Sequence, residues 1–355
     1  MILDQPERFA AFDPDGMLGH IDALPDQLAG AWQLAQDLPL PADTHDVKMI
    51  VLTGMGGSAI GGDYMAALVG HASPVPILVN REYDLPAYVA GPDVLVIASS
   101  NSGNTEETLA VYDIAKTRGV KILAMTTGGE LAARATADGV PLWQFSYSSQ
   151  PRAALGWSFG LEVALAHRLG LAGDLSADVA ETIDLLQKGR EALTGSVPLA
   201  DNPAKRYAGQ FADRIPVIYG GSIMTPVARR WKGQVNENAK AWAEFDVLPE
   251  QNHNGVAGTE LPEEALSKLF AMFLRSSYDH ERVALRHDLS FKLYLQQAIS
   301  VDTYTAQGES RLAQMMSATQ FGDYLSYYLA MLYEVDPTPI PPISSLKEGL
   351  AAADK

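Results

Sequence analysis

The chain has 355 residues, 47% hydrophobic and 19% charged, enough apolar material for two ordinary domains or one large one, and disorder is excluded as its main state. Its 26 Lys and Arg against 43 Asp and Glu leave a formal charge of −17, which disfavours nucleic acid and acidic lipid as partners while allowing a small anion in a local pocket. There is no cysteine, so disulfides, zinc–thiolate and iron–sulfur sites and thiol nucleophiles are excluded.

The opening Met-Ile-Leu-Asp-Gln-Pro-Glu lacks the basic region and apolar core of a signal peptide. The richest apolar stretch, 153–173, is broken by Glu162, His167 and Arg168, so no membrane span is expected and the chain reads as cytoplasmic. Over residues 1–45 the acids Asp4, Glu7, Asp13, Asp15, Asp22, Asp26, Asp37 and Asp43 face Arg8 alone. Leu18, Ile21, Leu24, Leu28, Trp32 and Leu34 recur near helical spacing, which predicts an acidic helical arm and not a DNA-binding head.

From Val47 the texture changes. Strands are predicted at 47–53, 76–80, 94–99 and 121–126, with helices between them, including 106–116. This alternation indicates βαβ units and a parallel sheet over a first domain, 46–172. Residues 153–195 read as mostly helical, with 173–200 as a linking helix. A second cycle over 201–355 begins with a strand at 214–219 and a helix through 229–236, and 270–274, 283–285 and 303–305 are further strand candidates. Gly56-Gly-Ser58 and Gly220-Gly-Ser222 form a weak internal repeat that suggests two similar α/β domains. The proline-rich 336–342 reads as a surface tail or as a strap that positions Lys347.

Two loops carry chemistry. Gly54-Met-Gly-Gly-Ser-Ala59 follows one predicted strand, and Ser100-Asn-Ser-Gly-Asn-Thr105 follows another. Helix N-termini after parallel strands offer N–H groups to an anion, and the hydroxyls of Ser100, Ser102 and Thr105 suit a phosphate monoester. The plainer reading is a helix cap by Ser102 or Thr105 with Glu106. A rival reading takes Gly54, Gly56 and Ala59 as a relaxed dinucleotide fingerprint with Glu82 as its ribose-binding acid.

Further on, Glu237 lies between Asn236 and Asn238, and His253 between Asn252 and Asn254. With Arg152 they make a possible base, acid and fixed cation. No metal-ligand spacing is present, so metal-free chemistry without a cofactor is expected.

The ordered set Gly54-Met-Gly-Gly-Ser58, Ser100-Asn-Ser-Gly-Asn-Thr105, Gln150-Pro-Arg-Ala-Ala-Leu155, Asn236-Glu-Asn-Ala-Lys240, Asn252-His-Asn254, Val335-Asp-Pro-Thr338 and Leu346-Lys347 resembles the bifunctional phosphoglucose/phosphomannose isomerases, a branch of the sugar-isomerase (SIS) domain family. The resemblance implies two SIS domains, each a doubly wound parallel sheet of flavodoxin type. It implies that Gly57 and Ser58 line the sugar site and that Ser100, Ser102 and Thr105 bind the phosphate. By the same resemblance Arg152 stabilises an enediolate, Glu237 moves the proton between C2 and C1, and His253 with Lys347 assists ring opening. It further implies a homodimer in which the histidine comes from the neighbouring subunit. The family tunes tolerance of the C2 epimer with a threonine upstream of the terminal lysine, and the nearest here is Thr338.

Two other functions compete. A non-catalytic SIS regulator binding a sugar phosphate would usually carry a basic head, which residues 1–45 do not resemble. An NAD(P)-dependent dehydrogenase would rest on Gly54, Gly56 and Glu82. An amidotransferase-type aminosugar synthase needs a cysteine that is absent.

Overall fold

The computed structural model describes residues 2–353. The first apolar runs form β1 (Met49–Thr53), β2 (Ile77–Asn80), β3 (Val94–Ser100), β4 (Lys121–Thr126) and β5 (Leu142–Gln144), all parallel in the order β2-β1-β3-β4-β5. Every residue of β3 is buried, as a central strand covered by helices on both faces requires. Thr53 pairs with Asn80 on one side and Ala98 on the other, which brings the ends of β1 and β3 together.

A second parallel sheet contains β6 (Ile215–Gly221), β7 (Glu244–Leu248), β8 (Leu269–Arg275) and β9 (Ser300–Thr305), in the order β7-β6-β8-β9. The chain therefore folds as two doubly wound parallel α/β units. Five strands in flavodoxin order differ from the six-strand, two-half sheet of dinucleotide-binding dehydrogenases.

One expected strand is corrected. Residues 283–285 belong to the helix Glu281–Gln296, which His280 caps by accepting from the Arg282 N–H. Three apolar residues in a row do not distinguish strand from helix, and the cap decides it. The repeat of Gly-Gly-Ser holds as strand, turn and helix but not letter for letter. Gly56 to Ser58 form the first turn of the helix Gly56–Val69, whereas Gly220 and Gly221 end β6 and Ser222 turns the chain at φ 50°.

The two units share one core. The helix Arg311–Leu332 is buried at every position from Leu312 to Met331 and packs against the helices Thr225–Ala239, Ser176–Leu193 and Pro203–Phe211. Residues 2–45 lie against this core. Phe9 meets the rings of Tyr327 and Tyr328, and buried Lys205 donates to the Leu3 carbonyl at 2.7 Å. The helix Leu24–Ala35 crosses the helix Leu155–Arg168 at Gly160, where a Cβ would stand 2.7 Å from that of Ala31.

Candidate active site

In the first sheet the strand order reverses between β1 and β3, and ligands of such sheets bind outside the carboxyl ends of the strands at that point. The segments that emerge there are Gly54–Ser58 and Asn101–Thr105. They are tied together, because the Asn101 N–H donates to Ser58 Oγ at 3.1 Å. Ser100 and Thr105 share a hydroxyl–hydroxyl hydrogen bond of 2.8 Å, and the Gly103 N–H donates to Ser100 Oγ at 3.1 Å. Ser102 Oγ accepts from the Asn104 N–H at 3.2 Å. Thr105 precedes the helix Glu106–Thr117 but makes no side-chain capping bond to it. Its hydroxyl is turned toward Ser100, so the helix-cap reading does not describe Thr105.

Gly57 joins this loop pair to Arg152. A Cβ there would stand 2.9 Å from the Pro151 carbonyl carbon and 3.1 Å from the Arg152 amide nitrogen. Only glycine lets the Gln150-Pro-Arg segment lie on the first turn of the helix Gly56–Val69.

The Arg152 side chain is 3% exposed and fully engaged. Nε donates to Asn238 Oδ1 at 2.6 Å, Nη2 donates to the carbonyls of Pro337 and Thr338, and Nη1 reaches Glu237 Oε2 at 3.4 Å. Burial works against its charge and the neighbouring Glu237 carboxylate works for it, the balance leaving its pKa below the ordinary arginine value. Arg230 fixes the backbone of the same residue, donating from Nη2 to the Arg152 carbonyl at 2.8 Å while holding buried Asp323 with both Nε and Nη2.

Glu237 ends the helix Thr225–Ala239 with 30% of its side chain exposed, so it is reachable from solvent where Arg152 is not. Both line a cleft of about 410 Å³ between the two units, whose walls also carry Gly56, Gly57, Arg81, Arg229, Arg230 and Lys232. A strongly acidic chain thus gathers five cationic side chains around one concavity. Arg81 and Arg229 both pair with Asp63, at 2.5 and 3.0 Å, which pins the two units to each other beside the cleft.

The structure ties Ser58, Ser100 and Thr105 together through their loops, and Gly57 joins these loops to Arg152. Of the expected residues Gly57, Arg152 and Glu237 line the cleft, while Ser102 lies on the same loop as Ser100 and Thr105, bonded to the Asn104 N–H. The structure does not bring His253 or Lys347 to them within one chain. His253 is exposed at the end of the short turn Glu250–His253 after β7, and Lys347 lies on the helix Pro341–Ala353, which buries no residue. Among the described residues, neither makes a hydrogen bond or ion pair with Arg152 or Glu237. Glu82 is also exposed, and Arg81 beside it turns to the cleft instead.

Sequence reasoning missed Arg230, Asp323 and Lys240. Arg230 and Asp323 are 93 residues apart, and no local pattern joins them. Lys240 lies within the quoted Asn236–Lys240 motif, which was the available signal.

Comparison with known proteins bears on the family and the fold. Residues 200–350 match the family model of the bacterial phospho-glucose isomerase C-terminal SIS domain, and residues 45–138 match the SIS domain model. A bifunctional phosphoglucose/phosphomannose isomerase of Caldicellulosiruptor bescii is 43% identical over 92% of this chain and 97% of its own. A protein of the same description from Aquifex aeolicus is 35% identical over 87% of this chain and 92% of its own. The crystal structure of a hypothetical protein from Thermus thermophilus superposes with a TM-score of 0.75 over 99% of this chain and 94% of that one, at 16% identity, which shows the shared fold.

Proposed function

The chain belongs to the bifunctional phosphoglucose/phosphomannose isomerase family, and we propose that it interconverts glucose 6-phosphate and mannose 6-phosphate with fructose 6-phosphate. The observation that carries the reading is the pairing of Arg152 and Glu237, 3.4 Å apart, one buried and fixed and the other exposed to the cleft. Aldose–ketose isomerisation needs one base that reaches two adjacent carbons and a cation beside the developing oxyanion. Glu237 takes the proton from C2, the C1 carbonyl accepts the electron pair as an enediolate oxygen, and the same carboxyl returns the proton to C1. Meanwhile the hydroxyl proton of O2 passes to O1, so the product is an isomer with no net change in atoms or charge. Arg152 stabilises the enediolate, and Asn238, Pro337 and Thr338 hold it in place beforehand.

Ser100, Ser102 and Thr105 hold the phosphate, with Gly57 and Ser58 beside the sugar. Binding at this unreactive end converts into orientation at C1 and C2. The two C2 epimers lead to one enediolate, so one site serves both. Thr338 lies beside this site, since its backbone carbonyl accepts from Arg152 at 3.0 Å.

The reading assigns ring opening to His253 and Lys347 in a homodimer whose subunits complete each other's sites. Support comes from the exposure of His253 on a firmly anchored turn. Buried Gln251 donates to Tyr294 Oη at 2.6 Å, and Asn252 donates to Ser290 Oγ at 2.8 Å. The adjoining helix Glu281–Gln296 exposes Leu285 and Leu289, a face suited to a second copy. The proposal includes metal independence and a cytoplasmic location. A coupled assay of fructose 6-phosphate in EDTA, reading glucose 6-phosphate and mannose 6-phosphate separately, tests the whole. Formation of neither product overturns the reading, and loss of activity in EDTA restored by zinc overturns its metal-free form.

A further inference from the structure

Lys240 follows the helix Thr225–Ala239 with φ 57° and ψ 19°. This left-handed position at a helix end is the usual place for glycine, because a Cβ is strained there. The lysine side chain does something glycine cannot. Nζ folds back to donate to the Glu237 carbonyl at 2.5 Å, one of the last helix carbonyls without an intrahelical partner, and also to the Pro337 carbonyl at 3.0 Å. Arg152 Nη2 donates to that same Pro337 carbonyl. One backbone oxygen of the segment 336–338 is therefore shared by two cations, Lys240 and Arg152, and both also contact Glu237.

We propose that Lys240 is a positioning residue of the site, clamping the 336–338 segment and, through the shared Pro337 oxygen, fixing the guanidinium of Arg152 beside Glu237. This rests on the isomerase reading for its effect on turnover. The clamp itself does not depend on that reading. The remaining hold on the segment is its own Thr338 N–H to Asp336 Oδ1 bond of 2.8 Å and the Arg152 contacts, so losing Lys240 removes the only clamp that does not come from Arg152 among the described hydrogen bonds. The charged groups facing Lys240 are Arg152, Asp336 and Glu237. Burial, and then repulsion from Arg152, push its pKa down to about 8, against the attraction of Asp336 and Glu237. Its charge is thus lost in mildly alkaline solution, where that of an ordinary lysine is kept.

The test uses Lys240→Gly and Lys240→Arg in the full chain. Glycine removes the clamp but suits the left-handed backbone, so Lys240→Gly should melt no lower than wild type. It should also exchange amide hydrogens faster over 334–340, lower kcat for fructose 6-phosphate about tenfold with a smaller change in KM, and lack the decline in kcat near pH 8. Lys240→Arg keeps its charge through that range, so it should recover most of kcat and also lack the decline. Unchanged exchange over 334–340 in Lys240→Gly overturns the clamp, and unchanged kcat overturns its bearing on catalysis. Should the glycine variant fail to fold, a wild-type decline near pH 8 in Lys240→Arg overturns the proposal. Wild-type protein inactive on fructose 6-phosphate sinks the isomerase reading instead, and the exchange result then decides the clamp alone.

Discussion

Arg230 donates from Nη2 to the backbone carbonyl of Arg152 at 2.8 Å, so one buried arginine holds the main chain of another. What lets Arg230 stay buried is Asp323, which meets it at 3.1 and 2.7 Å and also accepts from Gln234 at 2.8 Å. The pair joins the helix Thr225–Ala239 to the buried helix Arg311–Leu332, and through Arg152 it reaches the cleft.

Asp323→Asn should expose this dependence. The amide keeps the shape but leaves Arg230 as a buried charge without its counterion, a loss of about 3–5 kcal/mol in typical cases. Urea denaturation should show it directly, and kcat should fall because Arg152 loses its backbone support. A variant as stable and active as wild type would show that the pair does not hold the site.

Much of the fold was legible because buried parallel strands read as unbroken apolar runs. Residues 94–99 and 121–126 were placed almost to the residue for this reason. β7 and β5 were not seen. Glu244-Phe-Asp-Val-Leu248 is a half-buried edge strand carrying two acids, and β5 has only three residues. The loops and Glu237 were legible as motifs, since glycine and hydroxyl spacing is local. Arg230, Asp323 and the 336–338 clamp were not, because their partners come from distant segments that only the packing brings together.

Glu237→Gln should separate chemistry from binding. The amide is nearly isosteric, and Arg152 keeps its bonds to Asn238, Pro337 and Thr338. Removal of a general base should cost about a hundredfold or more in kcat. Fructose 6-phosphate affinity, read by calorimetry, should stay within a few-fold. Near-normal turnover would remove Glu237 from the mechanism.

Replacing both Ser102 and Thr105 with Ala should weaken phosphorylated sugars and inorganic phosphate alike. Thr105 holds Ser100 at 2.8 Å rather than capping its helix, so helix stability should change little. Inhibition by inorganic phosphate is the measurement, and an unchanged inhibition constant would leave the loop without a phosphate role.

Glu162 is fully buried on the helix Leu155–Arg168, and neither carboxyl oxygen has a hydrogen-bond partner among the described residues. Burial, helped by nearby Asp63, raises its pKa well above the ordinary value. The unfolded chain therefore releases this proton first as pH rises. Its contribution to stability is intact below the ordinary carboxylate range, roughly pH 4 to 5, and declines as pH climbs through that range toward the folded value. Glu162→Gln cannot ionise and lacks this decline. Thermal melts of both proteins at pH 4 and pH 7.5 should show the melting temperature of the variant gaining on that of wild type between the two. A gap that does not change with pH would mean Glu162 ionises as easily folded as unfolded.

A shared site makes a prediction that no single-chain site can meet. In one chain His253 is exposed and makes no bond to Glu237, while Gln251 and Asn252 just before it anchor the turn to its own domain. On the proposed reading the histidine serves the site of a second copy docked against it. Glu237→Gln and His253→Ala, each inactive alone, are unfolded and refolded together in equal amounts. If the histidine of one subunit completes the Glu237 site of the other, a mixed dimer holds one site with both groups damaged and one with both intact. Random pairing makes about half of the dimers mixed, each with one working site of two, so about a quarter of wild-type activity should return under two-fold symmetry. If each chain uses its own histidine, every site in the mixed dimer lacks one group and nothing returns. Each variant refolded alone is the control, and a mixture no more active than these controls rejects the shared site.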